Sequence, residues 1–251
     1  AAQYLNINVE KLGVDLMTIS SHKLYGPKGI GGLYIRKGVN PVRGRSPQGG
    51  RSHAFGGAAS NGVKVKPIIF GGGQQNNMRS GTENVPAIVG FAEALALAEK
   101  NKNKEYARVE KLRNELEREI FKLIPKVVLN GHPLKRLPNF LNVSILDIEG
   151  EAALLYLDQK GISASTGSAC DSQSLEPSHV ILALGRPYEY AHGSLRFTLG
   201  KYTTHESVRY LLTHLPPIVK KLRQMSPINL RVSEEKEISL PKAFVGGQTP
   251  H

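Results

Sequence analysis

Residues 14–35 read VDLMTISSHKLYGPKGIGGLYI, two short apolar runs joined by a glycine-rich turn. Leu16, Met17 and Ile19 form a run of strand length that stops at Ser20-Ser21-His22-Lys23, and Gly32-Leu-Tyr-Ile35 forms the second. If the first strand is buried, Lys23 stands at its end beside two hydroxyls and an imidazole. An amine kept from water loses its charge, becomes nucleophilic toward a carbonyl and suits a Schiff base. Ser20, Ser21 and His22 are placed to hold a phosphate. The plain alternative, and the commoner case, is a solvated loop lysine.

Outward from this segment, residues 38–67 are rich in Gly, Ser, Pro and Arg with almost no apolar periodicity, which marks a flexible loop or hairpin extension. Arg79-Ser-Gly-Thr-Glu-Asn84 then leads into a helical pattern that opens near Val85. Thr82 lies just ahead of that helix, where free N–H groups and the dipole favour an anion. An N-cap role would explain it as well. From Pro86 to about Ile124 the spacing is helical, with Ile88, Val89, Phe91, Ala92, Leu95 and Ala98 in core-like positions. A loosening is expected at Asn101-Lys-Asn-Lys104; past it, charged residues interleave with Val109, Leu112, Leu116 and Ile120, as in a half-exposed helix. Beyond it, strands are expected at Val127–Leu129, Phe140–Ile145 and Leu195–Leu199, and helices at residues 150–160, 180–184 and from Thr203-Thr204 to about Leu222. Residues 226–251 read as a charged, partly disordered tail.

Cys170 is the single cysteine. A lone cysteine is most often a small buried hydrophobe, but this one sits in Ser165-Thr-Gly-Ser-Ala-Cys-Asp-Ser-Gln-Ser174, without a large apolar neighbour before Leu175. The segment reads as a solvated loop and the sulfur as an accessible nucleophile. Arg196 alternates with apolar residues along its strand and is read either as a surface arginine or as a carboxylate-binding one. His132, His179, His192 and His214 lack metal spacing, so no zinc site is expected, and no nucleotide-binding glycine motif is present.

Five segments in order, SSHKLYGPKGIGGLYIRKG, GGGQQNNMRSGTENV, NGHPLKRLPNFLNVS, STGSACDSQSLEPSHVILALG and GSLRFTLGKYTT, resemble the cysteine desulfurases, the sulfur-mobilising branch of the class V aminotransferases. The resemblance covers most of the chain. It implies an α/β fold of the fold-type-I pyridoxal phosphate enzymes: the later part of a large mixed domain over residues 1–100, then a small α+β domain over 101–251. It implies pyridoxal 5'-phosphate on Lys23, with Ser20, His22 and Gln3 binding the cofactor. Thr82 would reach the phosphate of the other subunit in a homodimer, and Arg196 would grip the carboxylate of L-cysteine. Cys170 would take the sulfur as a persulfide, release alanine and pass the sulfur to an iron–sulfur scaffold or a thiolation carrier. The insertion at 38–67 is longer than the family pattern. Ala1-Ala2-Gln3 matches the family's Asp-Ala-x-Gln segment except for the aspartate, so the sequence reads as the C-terminal portion of a longer protein, expected to be inactive alone.

Length and composition bound the alternatives. At 251 residues and 40% hydrophobic content the chain can build a sizeable core, and no apolar run reaches membrane-spanning length. One cysteine excludes an internal disulfide and fits a reducing compartment, read here as the cytoplasm. The net charge of +12 and the absence of acidic residues between Asp15 and Glu83 admit a non-catalytic RNA- or partner-binding protein on the same fold. Nucleic acid is the less favoured partner, because the lysine, threonine, cysteine and arginine of the enzyme pattern are all present. Selenocysteine lyase uses the same residues and is the nearest enzymatic alternative.

Overall fold

Leu16–Ser20 (β1) pairs antiparallel with Gly31–Ile35 (β2), Leu16 opposite Ile35 and Ser20 opposite Gly31. The computed structural model describes residues 1–37, 40–41, 64–166, 178–227 and 229–230. Ahead of β1, the short helix α1 (Val9–Leu12) is capped by the Asn8 side chain, which accepts from the Glu10 and Lys11 N–H groups. A 3-10 turn, Ser21–Leu24, follows β1 directly. Burial alternates along β1: Met17 and Ile19 are half-buried, while Leu16, Thr18 and Ser20 are exposed. The strand is therefore not the fully buried one the apolar run predicts. Among the described residues, a single layer covers it.

That layer is the helix α2 (Val85–Leu123). Phe91 lies against Gly32 of β2, close enough that a Cβ there would sit 3.3 Å from its ring. The helix is continuous through Asn101–Lys104, where a loosening was expected. Lys102 explains why: it is buried, ion-paired to Glu99 one turn back, and lies 3.4 Å from the Asn6 side chain. Of the residues expected to form the core early in α2, Ile88, Val89, Ala92 and Leu95 are exposed; Ala87 and Ala94 are buried instead. Two residue pairs, Asn40–Pro41 (β3) and Lys64–Val65 (β4), form a short parallel bridge.

The chain divides into two units, Ala1–Tyr106 and Ala107–His251. The second is built on a three-stranded antiparallel sheet in the order β5 (Val127–Leu129), β6 (Phe140–Ile145), β7 (Ser194–Thr198). Around it are α3 (Gly150–Asp158), α4 (His179–Ala183), α5 (Tyr188–His192) and α6 (His205–Met225). Its core takes Val109, Leu112, Leu116 and Ile120 from the last part of α2, with Leu141, Val143 and Leu195 from the sheet and Leu215 and Val219 from α6. These four α2 residues are the buried face of the half-exposed helix that the spacing predicts.

The central strand β6 is buried on both faces, and the second face is polar. Asn130 Nδ2 donates to Asn142 Oδ1 at 2.7 Å and to Ser144 Oγ at 2.9 Å, which offsets the cost of burying these groups. Arginines satisfy exposed carbonyl ends. Arg108 donates to the carbonyls of Gly200 and Thr203, and Arg223 to those of Leu146 and Pro125. Burial pushes the Arg223 guanidinium below its ordinary value, with Asp147 acting in the opposite sense. Thr204 forms a capping box with Ser207 at the start of α6, as the Thr203-Thr204 pair predicts.

Candidate functional site

The turn after β1 presents Ser20, His22 and Lys23 together. Its backbone is closed by hydrogen bonds. Ser21 N–H donates to the Ile30 carbonyl at 3.2 Å, and the Ser21 carbonyl accepts from both Tyr25 and Gly26. Tyr25 ends the turn in the left-handed region at φ 61°. Ser21 and Leu24 are buried beneath the turn, so the residues between and beside them point outward: Ser20, His22 and Lys23 are all exposed. The Ser20 hydroxyl does not cap the turn. Neither His22 nor Lys23 has a hydrogen-bond or ion-pair partner among the described residues. The dry environment expected for Lys23 is absent here, because the strand that carries it is covered on one face only.

The donor set fits a phosphorylated aldehyde. A hydroxyl, an imidazole and an amine on one fixed turn are uncommitted and can reach a phosphate and a carbonyl together. Gln3 lies half-buried in the same unit, in a turn where Tyr4 and Leu5 N–H groups donate to the Ala1 carbonyl. Thr82 is also in this unit, exposed and three residues ahead of α2. It is not the cap of that helix. Asn84 is: its side chain accepts from Ala87 N–H at 3.2 Å, and its carbonyl accepts from Ile88. This leaves the Thr82 side chain uncommitted to the helix. Asn84 followed by Val-Pro carried the signal, since proline belongs in the first turn just after a capping residue.

Arg196 lies in the other unit, at the middle of β7 opposite Asn142. Its backbone forms a two-way bridge with Ser165, N–H to carbonyl at 2.6 Å and the reverse at 3.2 Å. The root of the segment that bears Cys170 is thereby tied to the strand of Arg196. Nothing in the local sequence signals this pairing, which joins residues 31 positions apart. The guanidinium lies 5.9 Å from the Phe140 ring centroid, and its Nε–H is buried without an acceptor among the described residues. Such a group is prepared for an anionic ligand, because the desolvation is already in place. Cys170 itself, most of the insertion at 38–67 and nearly all of the tail at 226–251 lie outside the described residues.

Among the described residues no helix is long and apolar enough to cross a membrane. The family model described as aminotransferase class-V matches residues 1–211. A protein named cysteine desulfurase IscS from Dictyoglomus turgidum is 48% identical over 224 residues, covering 89% of this chain and 51% of that protein. Cysteine desulfurase IscS 1 of Archaeoglobus fulgidus is 46% identical over 227 residues, covering 90% of this chain and 53% of its own. Among solved structures, a NifS-like protein superposes with a TM-score of 0.70 at 34% identity, covering 88% of this chain and 50% of its own. A NifS-like protein from Rickettsia africae gives 0.71 at 29% identity, covering 87% of this chain and 51% of its own. The chain spans about half the length of the relatives it matches. These likenesses bear out the expected α/β, fold-type-I architecture, and with 211 of its residues matched, the chain belongs to the aminotransferase class-V family.

Proposed function

We propose that the protein containing this chain is a cysteine desulfurase that uses pyridoxal 5'-phosphate. The observation that carries the reading is the turn at Ser20, His22 and Lys23, where three uncommitted donors of the right chemistry share one anchored backbone. The similarity to proteins named cysteine desulfurase supports it.

In this reading Ser20 and His22 would hold the cofactor's phosphate, Gln3 its phenolic oxygen and Lys23 its aldehyde group. Thr82 completes the phosphate site of a second copy of the chain, so the working form is a homodimer. Pyridoxal phosphate bound there supplies an electrophilic carbon for amines and a ring that accepts the electron pair released at the substrate's Cα. Arg196 would hold the carboxylate of L-cysteine in a two-pronged hydrogen bond, and the Lys23 amine would take the Cα proton. The Cys170 thiolate attacks the substrate sulfur. The Cβ–S bond breaks as an S–S bond forms on Cys170, and the former Cβ gains a hydrogen, so alanine leaves and no external oxidant or reductant is consumed. The persulfide then passes to a thiol acceptor, either an iron–sulfur scaffold or a sulfur carrier.

Trapping decides the cofactor half of this reading. The full-length protein is incubated with pyridoxal phosphate, reduced with borohydride and mapped by peptide mass. A single adduct at Lys23 is expected, and after reaction with cysteine but without reduction, an added sulfur at Cys170. Adducts scattered over surface lysines, or alanine release undiminished in Cys170→Ser, would refute it.

A further inference from the structure

We propose that Gly90, which the roles above leave without a task, is a positioning residue for Lys23 and acts through Pro27. The inference rests on the reading of Lys23 as the cofactor lysine. Lys23 itself is held only from below. Its side chain is exposed and without a partner among the described residues, so its direction is set by the backbone it stands on. That backbone is seated on α2 at two points. At Gly26, a Cβ would lie 2.3 Å from the buried Ser21 Oγ and 2.9 Å from the Ala94 Cβ. At Gly90, in the interior of α2, a Cβ would lie 2.7 Å from Pro27 Cγ and 3.2 Å from Cδ.

The second point is the informative one. Glycine inside a helix costs about 1 kcal/mol relative to alanine. Gly90 does not have the positive φ that would call for glycine. The close approach of Pro27 is what the missing side chain permits. The neighbour is a proline ring, whose φ is locked, so it cannot rotate out of the way as a flexible side chain would. Ordinary carbon–carbon contacts lie near 3.5–4.0 Å, so a methyl group at position 90 must displace the turn by about 1 Å. Pro27 follows Gly26, whose N–H is bonded to Ser21, and the displacement passes straight to the segment bearing Lys23. A misplacement of about 1 Å at a reacting group can cost on the order of 100-fold in rate.

The test uses the full-length protein and reads the rate of borohydride-trapped adduct formation at Lys23, with thermal melting alongside. Gly90→Ala is expected to slow trapping about 10- to 100-fold. Its melting temperature should shift only modestly, because the helix gain of about 1 kcal/mol opposes the cost of the displaced turn. Pro27→Gly, which removes the ring, is expected to slow trapping only a few-fold. The double variant should match Pro27→Gly, since the clash has gone. Equal trapping in Gly90→Ala and the parent would overturn the inference, as would a double variant slower than both single ones. If Gly90→Ala does not fold, a folded double variant reacting like Pro27→Gly upholds the lock, and an unfolded double variant refutes it. No adduct at Lys23 in the parent would refute the cofactor reading, and this inference with it; an adduct that Gly90→Ala leaves unchanged refutes this inference alone.

Discussion

Replacing Arg196 with lysine keeps the charge and removes the fork, which makes it the sharpest probe of substrate binding. The strand should survive, because Arg196 is held in β7 by backbone pairing with Asn142 on one side and Ser165 on the other. One hydrogen bond to the substrate is lost. The buried Nε–H, without an acceptor among the described residues, is one prong of the proposed carboxylate grip, and a hydrogen bond to a charged group is worth about 1.5–3 kcal/mol. That corresponds to roughly 10- to 150-fold at one decade per 1.4 kcal/mol. Alanine release measured against cysteine concentration in the full-length protein should show this chiefly as a raised KM, with Lys23 trapping by pyridoxal phosphate unchanged. An unchanged KM with a reduced kcat would place Arg196 outside the carboxylate site.

Leu195 is fully buried beside Arg196, so Leu195→Ala should destabilise the second unit by about 2–5 kcal/mol, read as a lower urea midpoint; a change under about 1 kcal/mol would mean the β6–β7 core is not packed as described. The Glu206 carboxylate is held below the ordinary glutamate range, first by its own backbone N–H and then by the Thr204 hydroxyl, with burial opposing and Arg209 and His205 assisting. A depressed folded value means the stabilisation is complete above the ordinary glutamate pKa and is lost as pH falls through the lower, folded one. Hydrogen exchange at the start of α6 should therefore quicken with acid beyond its intrinsic rate in the parent and lose that extra dependence in Glu206→Gln. Identical profiles would remove the carboxylate from the cap.

The elements of the second unit were legible because their periodicities are local and strong. Val127–Leu129, Phe140–Ile145 and the helix from His205 all stand where spacing and capping residues put them. The first half of α2 was misread for a physical reason. Ile88, Val89 and Leu95 sit at helical spacing, but the turn at Gly26 and Pro27 packs against Gly90 and Ala94, a smaller face that hydrophobicity does not mark. The break expected at Asn101–Lys104 failed to form for a related reason: Lys102 is polar in sequence but finds Glu99 and Asn6 in the fold.

For the candidate site, sequence alone determined the inventory: a lysine after serine and histidine at a strand end, a threonine ahead of a helix, an arginine within a strand and a single cysteine in a polar segment. Each is a matter of residue type and near neighbours, which the chain states directly. Tertiary structure decided what holds them. It freed Thr82 by giving the cap to Asn84, tied Ser165 to Arg196 across the chain, and seated the Lys23 turn on a glycine of α2. Those relations depend on distances between residues far apart in sequence, and close packing resolves them at a scale of tenths of an ångström that no local pattern encodes.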